Sequence, residues 1–208
     1  MKFVFTPPNQ LTFLRIILTP IFVGFLLSSD VTLRQVSLLV FLVALLTDWY
    51  DGWVARKWGY VTKWGTFLDP LADKIITSAA LVAFIYLDLA PWWAVWIIVA
   101  RDLVITFLRS YAEYKGKPIN TKKFAKTKTF LQFAVIFYVL LLYVGQDTTY
   151  FRENFGHVIG FLLNHSIVHT LVAVIAALTL WTGVLYIIHN WRIIRELYDF
   201  SSRVTESE

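Results

Sequence analysis

The sequence predicts an all-α integral membrane protein built from six transmembrane helices. Three observations carry that prediction. Of 208 residues, 58% are hydrophobic and 16% charged, whereas soluble chains average about 45–50% apolar and about 25% charged residues. The apolar residues gather into six stretches near the ~20 residues that a spanning helix needs. Lys and Arg are shared unequally among the connections between those stretches. Nine Trp and ten Tyr also suit a chain that crosses the membrane–water boundary many times, because amphipathic rings settle there.

The first span covers residues 11–27 and contains Arg15. The segment before it shows no small-residue cleavage pattern, so no signal peptide is expected. The second span covers residues 33–56, the third 70–87 and the fourth 92–112. The fifth covers 125–143 and the sixth 168–189. Residues 146–165 form the longest connection. Within it, residues 158–163 are expected to dip into the interface or form a short helix. No repeat and no soluble domain is visible. The reading is one membrane domain over residues 1–200, followed by a disordered tail at 201–208.

Charge sets the orientation. One side receives Lys2, Arg56, Lys57, Lys63, Lys115, Lys117, Lys122, Lys123, Arg192, Arg195 and Arg203, and the other only Arg34 and Arg152. The richer side is cytoplasmic by the positive-inside rule, which places both termini there. The same bias accounts for much of the net charge of +5, and no nucleic-acid partner is expected. The expected location is a bacterial inner (plasma) membrane. The absence of Cys excludes disulfides and thiolate metal sites.

Several ionisable residues fall where a membrane helix disfavours them by at least ~2.5–3.5 kcal/mol each, which makes them functional candidates. Asp48 and Asp51 lie near the cytoplasmic end of the second span, and Asp69, Asp73 and Lys74 open the third. Spacings of i,i+3 and i,i+4 put each acid pair on one helix face. The short connection makes the two spans an antiparallel hairpin, so both pairs share one depth. Four converging carboxylates would repel each other without a cation. All-oxygen ligation fits Mg²⁺ or Mn²⁺ rather than zinc, which predicts a metal site at the cytoplasmic side of the bundle. Gly52, Ala55 and Gly65 lie among the acids, where small side chains let a ligand approach. Small residues also serve helix packing, but packing does not explain four acids beside them. His157, His165, His169 and His189 lie away from the acids and read as structural or interfacial. The cluster of Trp92, Trp93 and Trp96 reads as an interfacial belt.

Taken together, the segment reads Asp48-x2-Asp51-Gly52-x2-Ala55-Arg56-x8-Gly65-x3-Asp69-x3-Asp73. It matches every fixed position of the signature of the CDP-alcohol phosphotransferase family, and the six-helix layout resembles that family over nearly the whole chain. The resemblance implies metal ligation by Asp48, Asp51 and Asp69, with Asp73 as a further ligand or as the general base. It implies CDP-diacylglycerol contacts from Gly52, Arg56, Thr62 and Gly65. Pro8-Asn9-x-Leu11-Thr12-x2-Arg15 resembles the family's N-terminal segment, where Asn9 and Thr12 would touch the nucleotide. The implied reaction passes a phosphatidyl group from CDP-diacylglycerol to an alcohol.

Further runs resemble the phosphatidylglycerophosphate synthase branch. One is Lys57-x-Gly59-x2-Thr62-x2-Gly65-x2-Leu68-Asp69-Pro70-Leu71-Ala72-Asp73-Lys74. A second is Ala100-Arg101-Asp102-x5-Leu108-Arg109, in a branch that more often carries Glu at position 102. A third is Ala125-Lys126-Thr127-Lys128-Thr129-x2-Gln132, with Ala where the branch has Gly. The resemblance implies sn-glycerol 3-phosphate as acceptor. A phosphorylated acceptor needs nearby cations, and Arg101, Arg109, Lys126 and Lys128 are the candidates for its phosphate. Snorkelling, or pairing with Asp102, is the plainer reading of those cations. Inositol phosphate, serine and phosphatidylglycerol remain alternative acceptors. An intramembrane prenyltransferase would also use Asp-rich helices, but lacks the Gly65-x3-Asp69-x3-Asp73 arrangement. A cation transporter would place its acids near the midplane in inverted repeats. Membrane lipids are the expected surroundings, and a homodimer is compatible with the pattern.

Overall fold

A computed structural model of the chain describes residues 7–58, 63–115 and 123–205. Among them it has seven helices: α1 (Pro7–Leu26), α2 (Val31–Trp58), α3 (Lys63–Tyr86), α4 (Trp92–Tyr114), α5 (Lys123–Gly145), α6 (Thr149–Leu162) and α7 (His165–Thr205). The seventh helix beyond the six expected is α6, the short helix foreseen in the longest connection. It is 14 residues long, so it extends well beyond residues 158–163. The third helix starts at Lys63 rather than at residue 70, which puts Asp69 and Asp73 in its body rather than at its start. Hydropathy registers only the apolar part of a helix that also runs through a polar region. For the same reason α7 spans 41 residues and enters the segment expected as a disordered tail. No Gly or Pro follows Gly183 to stop it.

The turns use local chemistry. The Thr32 amide donates to Asp30 Oδ1 at 2.7 Å, which caps α2. The Ser166 amide donates to Asn164 Oδ1 at 2.9 Å and caps α7 in the same way. Between α3 and α4, Asp88 takes φ 55°, a left-handed conformation that Asp tolerates better than most residues.

The helices close into a ring. α1 packs against α2 and α3, α3 against α4, α4 against α7, and α7 against α5, which returns to α2 and also touches α3. One half of the ring is packed with apolar side chains, among them Phe22, Phe41, Ile76, Phe84, Val95, Ile98, Ile136, Leu140, Val172 and Ile175. The Phe22 and Phe41 rings lie 5.2 Å apart. Buried Ala44, Ala80, Ala94 and Ala176 let the helices approach closely. At that apolar end, Arg34 Nε pairs with Asp147 Oδ2 at 3.2 Å, which ties the start of α2 to the end of α5. The buried polar side chains Thr12, Arg15, Asp102, Lys128 and Gln132 belong to the other half.

Among the described residues, two helical stretches, Thr127–Gly145 and His165–Arg195, are long and apolar enough to cross a bilayer. Gln10–Leu26, Val31–Thr47 and Lys74–Tyr86 are apolar over shorter lengths. Leu39, Leu46, Val104, Phe107, Phe130, Trp181 and Ile188 are exposed on the outside of the bundle. Contiguous apolar surface of this kind marks a lipid or protein contact.

Candidate active site

The signature acids lie on the two helices that flank α1 in the ring. Asp48 and Asp51 are in α2, and Asp69 and Asp73 are in α3, while α1 packs against both helices. The side chains of Asn9, Asp48, Asp51, Gly52, Arg56, Gly65, Asp69, Asp73 and Lys126, and all of Thr62, lie outside the described residues. Thr12 and Arg15 are buried on α1. They share a face with Thr19 and Phe22 at helical spacing, so the face of α1 changes from polar to apolar along its length.

One turn of α3 joins the acids to a second cluster. Lys74 follows Asp73 directly, and its Nζ lies 3.8 Å from Asp102 Oδ2 on α4. Asp102 is the centre of this cluster and is 2% exposed. Lys128 Nζ, from α5, donates to Asp102 Oδ1 at 2.6 Å. Arg101 Nη1 donates to the same oxygen at 3.0 Å. Arg101 Nη2 donates to Thr182 Oγ1 on α7 at 3.1 Å. A Cβ on Gly183 would stand 3.1 Å from Arg101 Cγ and Nε, so the arginine stem lies flat against α7 where that helix has no side chain.

Three cations therefore converge on one carboxylate held by four helices. Burying these charges together is tolerable only because the carboxylate pairs with them at hydrogen-bond distance. The structure brings Arg101 and Lys128 together on Asp102, and leaves Arg109 exposed, two turns further along α4. Pairing with Asp102, the plainer reading of these cations, is what the structure shows for Arg101 and Lys128. The sequence reading missed Thr182 and Gly183 as the seat of Arg101. The available signal was on α7: Thr179, Thr182, Gly183 and Tyr186 recur at i, i+3, i+4 and i+7, one face of a helix. Among the described residues, no group of three or more His, Asp or Glu side chains is placed to hold a metal. The four signature acids are not among the side chains so described.

The CDP-alcohol phosphatidyltransferase family model matches residues 5–188. The chain belongs to this family. A CDP-diacylglycerol–glycerol-3-phosphate 3-phosphatidyltransferase of Bacillus subtilis (strain 168) is 37% identical over 150 residues, covering 66% of this chain and 78% of the relative. The protein of the same name from Salmonella typhimurium (strain LT2) is 34% identical over 141 residues, covering 65% and 77%. That of Rickettsia prowazekii (strain Madrid E) is 29% identical over 143 residues, covering 69% and 79%.

Proposed function

We propose that this chain is a phosphatidylglycerophosphate synthase. It transfers a phosphatidyl group from CDP-diacylglycerol to sn-glycerol 3-phosphate and releases CMP. The observation that carries this reading is the complete eight-position signature on α2 and α3, in a chain whose similar relatives bear that activity in their names.

The donor set of Asp48, Asp51, Asp69 and Asp73 is all carboxylate, which fits a hard divalent cation, Mg²⁺ or Mn²⁺. A divalent ion held by these carboxylates would supply positive charge to neutralise the pyrophosphate oxygens and the departing CMP. Asn9 and Thr12 contact the nucleotide, and Gly52 and Gly65 give room for its close approach. Arg56 forks onto phosphate oxygens, with Thr62 beside it. The acceptor oxygen bonds the phosphorus that carries diacylglycerol, while that phosphorus loses its bond to the bridging oxygen, which leaves with CMP. The acceptor hydroxyl proton passes to the Asp73 carboxylate. Arg101, Arg109, Lys126 and Lys128 provide the positive field that lets a phosphate dianion sit beside a pyrophosphate. Six of the helices, α1 to α5 and α7, span the membrane, with both termini cytoplasmic, as the Lys and Arg distribution supports. CDP-diacylglycerol then reaches the site from the surrounding lipid.

Purified protein given CDP-diacylglycerol, Mg²⁺ and a panel of acceptors should release CMP with glycerol 3-phosphate. EDTA should abolish release, and added Mg²⁺ or Mn²⁺ should restore it. Asp48→Ala, Asp51→Ala and Asp69→Ala should each abolish turnover. Asp73→Asn should lower it about 10²–10⁴-fold while keeping substantial metal binding. Turnover of serine or inositol phosphate without glycerol 3-phosphate would refute the acceptor and spare the reaction class. No CMP from any acceptor would refute both.

A further inference from the structure

The polar face of α7 contains a group that the mechanism above does not use. Tyr186 is 8% exposed, and its ring packs with Ile105, Leu108 and Ala112 of α4. Its hydroxyl is buried and has no hydrogen-bond partner. A buried hydroxyl without a partner carries a desolvation penalty that a phenylalanine at the same place would avoid. The hydroxyl lies one turn beyond the Thr182 and Gly183 seat of Arg101, and it is within the electrostatic reach of Arg109 and Arg101. It is not alone in lacking a partner. Arg101 Nε, Thr179 Oγ1 and Gln132 Oε1 are also buried without a hydrogen bond. Thr179 is on the same α7 face, and Gln132 is one turn from Lys128 on α5. Unsatisfied donors and acceptors thus occur on α4, α5 and α7, the helices that carry Arg101, Lys128 and the Thr182 seat. A polar anionic ligand would satisfy the donors among them.

We infer that the Tyr186 hydroxyl is a substrate ligand, donating a hydrogen bond to a phosphate oxygen of the phosphorylated acceptor between Arg101 and Arg109. This deepens the proposed function and rests on it for the identity of the acceptor. The donor pyrophosphate offers the same chemistry to a hydroxyl. The acceptor is favoured because Tyr186 faces the α4 arginines, and the signature acids belong to α2 and α3.

Tyr186→Phe keeps the ring and removes only the hydroxyl. The test measures CMP release by the full-length variant while each substrate is varied in turn. The expected result is a KM for glycerol 3-phosphate raised roughly tenfold or more, as for the loss of a hydrogen bond to a charged group. The KM for CDP-diacylglycerol and the melting temperature without substrates should be unchanged. A raised KM for CDP-diacylglycerol alone, unchanged KM values for both substrates, or a lower melting temperature without substrates would each overturn the inference. A second readout is independent of turnover: the rise in melting temperature with inorganic phosphate, using glycerol as control. Phosphate should stabilise the wild type and have a smaller effect on Tyr186→Phe. That result would sustain the anion site even if the wild type released no CMP and the proposed reaction failed. Equal stabilisation of both proteins would overturn it.

Discussion

Asp102 holds two hydrogen-bonded cations and the approach of a third, so its removal should cost more than the removal of any one partner. Asp102→Ala strands Lys128, which is 2% exposed, and breaking a buried pair in this way typically costs about 3–5 kcal/mol. Thermal inactivation in detergent should show Asp102→Ala well below wild type and Lys128→Met between them, because Arg101 still neutralises Asp102 in the latter. The reverse order would mean that the carboxylate is not the organising group. Gly183→Ala tests the same cluster from the α7 side. The added methyl meets Arg101 at 3.1 Å, and overpacking of this kind costs about 1–3 kcal/mol. Its expected signature is a weaker apparent affinity for glycerol 3-phosphate with metal binding intact. Membership of the family was legible in the sequence because charge inside an apolar helix is conspicuous and the spacing of the signature is fixed. Thr179, Thr182 and Gly183 were not, because small and hydroxylated residues in a membrane helix look like packing. Their meaning comes from the arginine opposite, which belongs to another helix.

At the scale of elements, hydropathy located the helices and misplaced their ends wherever a helix outruns its apolar part. α3 and α7 both do so. α6 is a different case, because its 14 residues reach about 21 Å, too short to cross a hydrocarbon core of about 30 Å. Tyr150, Phe151, Phe155, Val158 and Phe161 are exposed along one arc of α6, and Arg152, Glu153 and His157 lie on another. The C-terminal end of α6 is tied to α5, because the Tyr138 hydroxyl donates to the Leu162 carbonyl at 2.9 Å. Such a helix suits a place along the interface with its aromatic arc toward lipid. The absence of native Cys makes this simple to test with single cysteines and a membrane-impermeant maleimide on intact cells. Cysteine at Glu153 or His157 should label readily and at Phe161 slowly, while cysteine at Arg192 should label only after lysis. Labelling of position 192 on intact cells would invert the topology.

For the whole molecule, the order of helices around the ring was beyond the sequence. Six stretches of similar apolarity can be arranged in many ways. The choice falls to contacts between distant segments, such as Arg101 with Thr182 and Lys128 with Asp102. The division along the bundle was more accessible. Apart from Arg34 at the start of α2, the charges within the spans lie outside the half that Phe22, Phe41, Ile98, Ile136 and Leu140 fill.

That division has a consequence for the cell's energy supply. In the proposed topology, a site of carboxylates, lysines and arginines that faces the cytoplasm would be half of a proton-conducting path. On that reading, the barrier to discharge of the membrane potential would be the apolar half of the bundle, packed with Phe22, Phe41, Ile98, Ile136 and Leu140. Vesicles reconstituted with the wild type should hold an imposed pH gradient as well as protein-free vesicles do. Placing Asn at both Ile98 and Ile136, each fully buried, should let the gradient decay faster, provided that the variant still folds and inserts. Equal retention by a folded variant would show that the barrier lies elsewhere. On that reading the apolar half would let a hydrated, charged site exist in a membrane that must stay charged.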